Sequence, residues 1–165
     1  MNEPSSLLTV RGLGVRFRLA TGEIEAVRDL DLEVASGETV AVVGESGSGK
    51  SQAMLSLLGL LAPNGTASGS AVFRGAELIG ATAAELDRVR GTQATMIFQE
   101  PMSSLDPLYT IGQSIGAPLR RHGGLSRAAA RKRALELLDM VRIPDPAARI
   151  DSYPHELSGG QRQRV

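Results

Sequence analysis

The sequence predicts an α/β fold, and three neighbouring patterns indicate it. Apolar and charged residues alternate over 30–34, which is the period of a half-buried strand. Residues 39–43 form a compact apolar run rich in β-branched side chains, which is typical of a strand buried on both faces. This run leads directly into a glycine-rich loop, and after it apolar residues recur at helical spacing over 54–61, up to Pro63. A strand, a tight loop and a helix in this order predict an α/β core.

Local signals predict the elements around this core. Thr82 with Glu85 has the spacing of a capping box for a short helix, and Ser126 is a suitable N-cap for a longer one. The basic residues near the start of the second helix are expected to form a solvated face. The predicted elements are, in chain order, strands at 7–11 and 15–19, a turn at 21–22, a strand at 71–74, a helix from 82 to about 90, a strand at 95–98, and a helix from 126 to about 142.

Composition excludes several classes of site. The chain has 165 residues, of which 42% are hydrophobic and 22% are charged, so one domain with an ordinary core is expected. Its formal net charge is zero, which gives no general attraction to nucleic acid or to an anionic membrane. It has no cysteine, so thiolate metal sites and cysteine nucleophiles are excluded. The start lacks the pattern of a signal peptide, and no apolar run approaches membrane-spanning length. Contact with a membrane is therefore expected only through another protein.

The glycine-rich loop carries the clearest chemistry. Gly44 is followed by four residues and then by Gly49-Lys50-Ser51, between a predicted strand and a predicted helix. Glycines let backbone N–H groups point inward around phosphate oxygens, and the helix start adds its positive dipole end. Lys50 supplies a compact charge, and Ser51 a hydroxyl ligand for Mg²⁺. We therefore predict binding of a nucleoside triphosphate, ATP with Mg²⁺. The loop residues concerned are Gly44, Glu45, Ser46, Gly47, Ser48, Gly49, Lys50, Ser51 and Gln52.

Two further stretches narrow the class, because the loop alone is shared by many phosphate-binding proteins. Gln99 follows an apolar segment in MIFQEPM, and residues 157–161 read LSGGQ. With these motifs in this order, the whole chain resembles the ABC-type ATPases. The runs GESGSGKSQ, GLLAPNG, MIFQEPMSSLDPLYTIGQSI and YPHELSGGQRQRV resemble, more narrowly, the ATP-binding subunits of oligopeptide, dipeptide and nickel importers.

The resemblance implies an architecture. It implies a P-loop NTPase (RecA-like) core, an antiparallel β-subdomain before it and an inserted helical subdomain. Residues 1–165 would form a single partial nucleotide-binding domain, with the β-subdomain and P-loop core at about 1–99 and the helical subdomain with the signature at about 100–160. The fold is expected to be incomplete at its C-terminus.

The resemblance also implies roles for single residues. Gln99 would contact Mg²⁺ or the attacking water, so Lys50 and Gln99 are the candidate catalytic residues, and Ser51 and Gln99 are the candidate Mg²⁺ ligands. Phe17 stands near the place of the family's adenine-stacking aromatic, and the alternative is a core phenylalanine in a strand. The signature would bind ATP held by a second ATPase subunit, through Ser158, Gly159, Gly160 and Gln161.

The residues that the family uses for hydrolysis do not follow the signature in this chain. The resemblance implies an apolar strand ending in Asp-Glu and then a switch histidine, but the sequence stops at Val165. Asp139 has helical neighbours and is expected to be exposed, and His122 and His155 are expected to be surface or capping residues. We therefore expect this polypeptide alone to expose an apolar edge of its core, to bind ATP weakly and not to hydrolyse it.

The leading functional prediction is the ATPase that supplies energy to a peptide importer. It implies transmembrane permease subunits, a second ATPase subunit (identical or different) and a place on the cytoplasmic face of the membrane, with no nucleic acid partner. One alternative is a soluble ABC ATPase of DNA repair or translation, against which the run from Gln99 to Ile115 argues. Another is a non-hydrolysing remnant. The transported solute is not indicated, because selectivity lies in partner proteins.

Overall fold

The computed structural model describes residues 6–98 and 105–165, which fall into two compact units, Met1–Arg90 and Gly91–Val165. The first unit is built on a four-stranded antiparallel sheet with the order β2-β1-β3-β4. Its strands are β1 (Ser6–Leu19), β2 (Gly22–Ala35), β3 (Gly65–Phe73) and β4 (Ala76–Glu77). Its helices are α1 (Lys50–Leu57) and α2 (Ala83–Val89).

The N-terminal strands are longer than predicted because a bulge lets one strand continue. The two short strands predicted at 7–11 and 15–19 are one strand, β1, which pairs with β2 along its length. The pairing register shifts between Val10 and Leu13, where Gly12 has a φ of 56°. This bulge keeps Val10, Leu13 and Val15 fully buried on the same face, although simple alternation would not. The strand predicted at 71–74 is likewise longer and begins at Gly65.

Helix α1 packs on β1, β2 and β3 and ends earlier than predicted, at Leu57. Its C-terminal end is joined to the end of α2 by Arg90, whose Nε donates to Leu58 O at 2.6 Å and whose Nη2 donates to Gly59 O at 2.8 Å. The capping box predicted for α2 is confirmed: Thr82 accepts from Glu85 N, and Glu85 accepts from Thr82 N. The phosphate loop therefore leads into a helix held against the antiparallel sheet.

The parallel strands predicted at 39–43 and 95–98 are absent from the described structure. Neither segment is assigned to a strand, and Val43 and Ile97 are each 91% exposed. A strand buried on both faces requires neighbouring strands and covering helices, and these two segments belong to different compact units without a described partner strand. The strand assignment of both segments was therefore wrong.

The second unit is helical. It contains α3 (Ile111–Arg121), α4 (Arg127–Met140), α5 (Pro146–Arg149), a single 3₁₀ turn at Pro154–Glu156 and α6 (Gly159–Arg164). The N-cap predicted at Ser126 is confirmed by its acceptance of a hydrogen bond from Ala129 N at 3.2 Å. The core of this unit consists of the apolar side chains of Ile111, Ala134, Leu138, Ile143, Ile150 and Leu157. None of the helices within 6–98 and 105–165 combines the length and apolar character needed to cross a membrane.

Candidate functional site

The phosphate loop takes the left-handed turns that its glycines allow. Gly47 has a φ of 81° and Gly49 a φ of 88°, and Gly49 is the N-cap of α1. A Cβ on Gly49 would lie 2.1 Å from the backbone oxygen of Ala26 in β2. No larger residue fits there without moving backbone, so the glycine brings the loop directly against the sheet.

Three backbone donors at the end of the loop have no acceptor among the described residues. Helix α1 has no side-chain cap and no acidic residue in its first turn. In the described part of the chain, the N–H groups of Gly49, Lys50 and Ser51 donate to no protein oxygen, whereas Ala53 N donates to Gly49 O at 2.9 Å. Orphan N–H groups at the positive end of a helix form an anion-binding site, and here they fit the phosphate groups of a nucleotide.

Lys50 lies over this loop. Its Nζ donates to Gly44 O at 2.7 Å, to Glu45 O at 2.6 Å and to Ser48 Oγ at 3.1 Å. All three acceptors are uncharged, so no carboxylate among residues 6–98 and 105–165 neutralises the ammonium group. These hydrogen bonds hold the charge at the mouth of the loop, where it suits an anion with several oxygens.

The predicted metal ligands are only partly described. Ser51 is exposed at the start of α1, next to Gln52, which is half-buried. Gln99 lies outside the described residues. Over the described ranges, no cluster of three or more His, Cys, Asp or Glu side chains is placed to hold a metal. Of the two predicted Mg²⁺ ligands, the described residues contain Ser51, whose hydroxyl is of the oxygen type that Mg²⁺ prefers.

Phe17 is half-buried near the end of β1, opposite Ile24 of β2 and Gly65 of β3. Its ring lies over Gly65, where a Cβ would approach the ring carbon Cε1 to 2.7 Å. The phenylalanine is therefore not one of the fully buried core residues of its unit. Adenine stacking at this ring stays a prediction.

The signature segment begins a short helix in the second unit. Ser158 is the N-cap of α6: its Oγ accepts from Gln161 N at 3.3 Å, and its own N donates to Gln161 Oε1 at 2.9 Å. Leu157, just before it, is 3% exposed and packs in the core, whereas Ser158, Gly159 and Gly160 are exposed. The side chain of Gln161 is thus used locally, and the exposed backbone is what this motif presents.

The phosphate loop and the signature are the two segments predicted to bind ATP from opposite sides. Residues 44–52 lie in the first compact unit of the chain, and residues 158–161 lie in the second. The histidines take no part in either. His122 ends α3 and His155 stacks on Tyr153 with ring centroids 5.7 Å apart, and both are exposed, as predicted. Asp139 is exposed on α4, also as predicted.

Sequence reasoning missed an ion pair within the helical unit. Arg131 of α4 binds Asp151 with two hydrogen bonds, Nη1 to Oδ1 at 2.7 Å and Nη2 to Oδ2 at 2.6 Å. The hydrogen bond from Arg131 holds the pKa of Asp151 below its usual range. Arg131 had been assigned only to a solvated basic face. The sequence offered no local signal for this pair, because the two residues are 20 positions apart.

Comparison with known proteins identifies the family of the chain. The family model described as ABC transporter matches residues 27–165. The chain belongs to the ABC transporter family. It is 46% identical over 159 residues to the oligopeptide transport ATP-binding protein OppD of Haemophilus influenzae, covering 96% of this chain and 49% of that protein. It is 44% identical over 163 residues to OppD of Escherichia coli, covering 99% of this chain and 48% of that protein.

Solved structures give the same family. A dimeric structure of MJ0796, described as a bacterial ABC transporter cassette, matches with a TM-score of 0.76 and 28% identity over 95% of this chain and 66% of that one. A dimeric post-hydrolysis state of the same cassette, bound to ADP and Pi, matches with a TM-score of 0.74. The chain thus belongs among the ATP-binding cassettes, and it spans about half the length of the curated relatives named above.

Proposed function

We propose that this chain is the nucleotide-binding part of an ABC importer ATPase, which takes up peptides or similar solutes through transmembrane permease subunits. The observation that carries the proposal is the start of α1, where N–H groups with no acceptor in the described structure lie beside the ammonium of Lys50, whose described partners are uncharged oxygens. This combination fits ATP phosphates and no other ligand class suggested by the sequence. The names of the relatives, which describe oligopeptide transport, support the peptide substrate.

Binding is expected to be composite. One copy would hold ATP and Mg²⁺ on residues 44–52, with Gln99 as a further Mg²⁺ ligand, and the exposed backbone of Ser158–Gly160 of a second subunit would cover the γ-phosphate. The bound Mg²⁺ would neutralise phosphate charge. The dimeric cassettes found by comparison support such an arrangement, whether the second subunit is identical or different. The assembly would sit on the cytoplasmic face of the membrane through its permease.

Fluorescently labelled ATP titrated into the chain with Mg²⁺ tests the first half of this site. Lys50→Ala is expected to weaken binding by roughly tenfold or more, because a charged hydrogen-bond donor to phosphate is lost. Lys132→Ala is the matched control, since it removes the only other lysine, an exposed one on α4. Equal loss of affinity in both variants would show that general charge, and not the loop, binds the nucleotide.

Mixing two variants tests the second half. One copy carries Lys50→Ala and can donate only its signature; the other carries Ser158→Arg and can donate only its loop. Labelled ATP should bind the mixture more tightly than either variant alone. No gain on mixing contradicts the composite site while leaving the loop result intact.

A further inference from the structure

Arg164, in the last turn of α6, joins the signature helix to another helix. Its Nε donates to Gly160 O at 3.1 Å, within the signature itself. Its Nη1 donates to Arg142 O at 2.7 Å and lies 3.4 Å from Val141 O. One guanidinium group therefore holds the signature backbone and the chain just beyond α4 at the same time.

The end of α4 has a physical need for such a group. The helix is 14 residues long and has no basic residue in its last turn. After its C-cap at Val141, the chain turns away at Arg142, which has a φ of 55°. The final carbonyls of a helix lack intrahelical donors and carry its negative dipole end, so a cation there is stabilising. Arg164 supplies that cation from a different helix.

Among the described residues, the signature helix is attached at both ends. Helix α6 is six residues long, and none of its residues is buried. Its start is tied down by Leu157 in the core and by the capping box of Ser158 and Gln161. Towards its other end, Val165 packs on the apolar core, Arg162 Nε is enclosed by the protein, and Arg164 makes its hydrogen bonds.

We propose that Arg164 is a positioning residue that sets the direction of the signature backbone by bracing α6 against the end of α4. It does not touch nucleotide; it acts through Gly160, whose carbonyl it holds. Its effect on ATP bound by a second subunit rests on the function proposed above, whereas its effect on the signature helix does not.

Amide hydrogen exchange of the intact chain tests the brace directly. Arg164→Ala is expected to lower protection of the amides of α6 by roughly tenfold, with β1 and β3 unchanged. Gln163→Ala is the control, because this neighbouring side chain is exposed and makes no described contact. Equal protection in Arg164→Ala and Gln163→Ala overturns the proposal.

Arg164→Lys separates the bridge from its charge. A lysine restores a cation at the end of α4, but its single nitrogen cannot replace two guanidinium nitrogens that donate in different directions. We expect Arg164→Lys to restore only part of the α6 protection that Arg164→Ala loses. Full restoration of protection would mean that charge alone suffices, and the bridging role would be wrong.

The mixed-variant ATP assay supplies the functional readout. Adding Arg164→Ala to the copy that donates the signature should weaken labelled ATP binding by the mixture about tenfold, while the loop-donating copy alone binds as before. Unchanged binding by the mixture would overturn the positioning role. If the parent mixture itself shows no gain, the composite site is at fault, and the exchange experiment still decides the role of Arg164.

Discussion

Replacing Gly49 with alanine should disrupt the phosphate loop more than the same change at Gly47, although both glycines have left-handed backbone. Their φ values are 88° and 81°, so both substitutions cost about 1–2 kcal/mol for the dihedral angle alone. Around Gly47 a Cβ would meet nothing within 4 Å, whereas at Gly49 it would lie 2.1 Å from Ala26 O and 3.1 Å from Val27 Cγ2. The strand must therefore move for Gly49→Ala only.

Overpacking of this kind costs a further ~1–3 kcal/mol. We expect Gly47→Ala to lower the free energy of unfolding by about 1–2 kcal/mol and Gly49→Ala by about 2–5 kcal/mol. Urea unfolding followed by circular dichroism measures both, and labelled ATP titration should show the larger loss of affinity for Gly49→Ala. Equal midpoints for the two variants would refute the contact between the loop and β2.

Two other predictions concern the stability of the two units, through Ile150 in the helical unit and Glu77 in the β-sheet unit. Ile150→Ala should lower the free energy of unfolding of the helical unit by about 2–5 kcal/mol in urea unfolding, because Ile150 is fully buried and packs on Gly112; a loss below about 1 kcal/mol would contradict that packing. Burial raises the pKa of Glu77, but hydrogen bonds from Ser70, Ala71, Ile79 and Leu78 outweigh this and leave the pKa below its usual range. The ionised Glu77 therefore stabilises the fold above its unfolded pKa, and this contribution is lost as the pH falls through the lower, folded pKa. Glu77→Gln should cost about 1 kcal/mol at neutral pH and nothing in strong acid, and a pH-independent difference in unfolding midpoint would refute the assignment.

Local signals in the sequence were sufficient where the physics is local. The capping box at Thr82 and the N-cap at Ser126 depend on residues three positions apart, and the structure forms both. Residues 30–34 were correctly predicted as strand, because a period of two requires only one buried face. The phosphate loop was also readable in advance, since its glycine spacing and its lysine act within one turn of chain.

The residues of segments 39–43 and 95–98 do not by themselves decide whether a strand forms there. Segments 39–43 and 95–98 are apolar and β-branched, but a strand forms only where another strand accepts its hydrogen bonds, and no described neighbour does so. The bulge at Gly12 was missed for a related reason: it is set by pairing with β2, where Asp31 Oδ1 accepts from Gly12 N at 2.7 Å.

The sequence by itself determined the chemistry of this protein: a loop that can bind phosphate, a signature that starts a helix, and the family to which both belong. Only the tertiary structure decided how these motifs are held. Gly49 lies against Ala26, Arg131 binds Asp151, and Arg164 reaches Arg142, each across 20 or more positions in sequence. Such contacts form because the fold brings together backbone and charged groups that are distant in sequence. Residue spacing along the chain does not predict them.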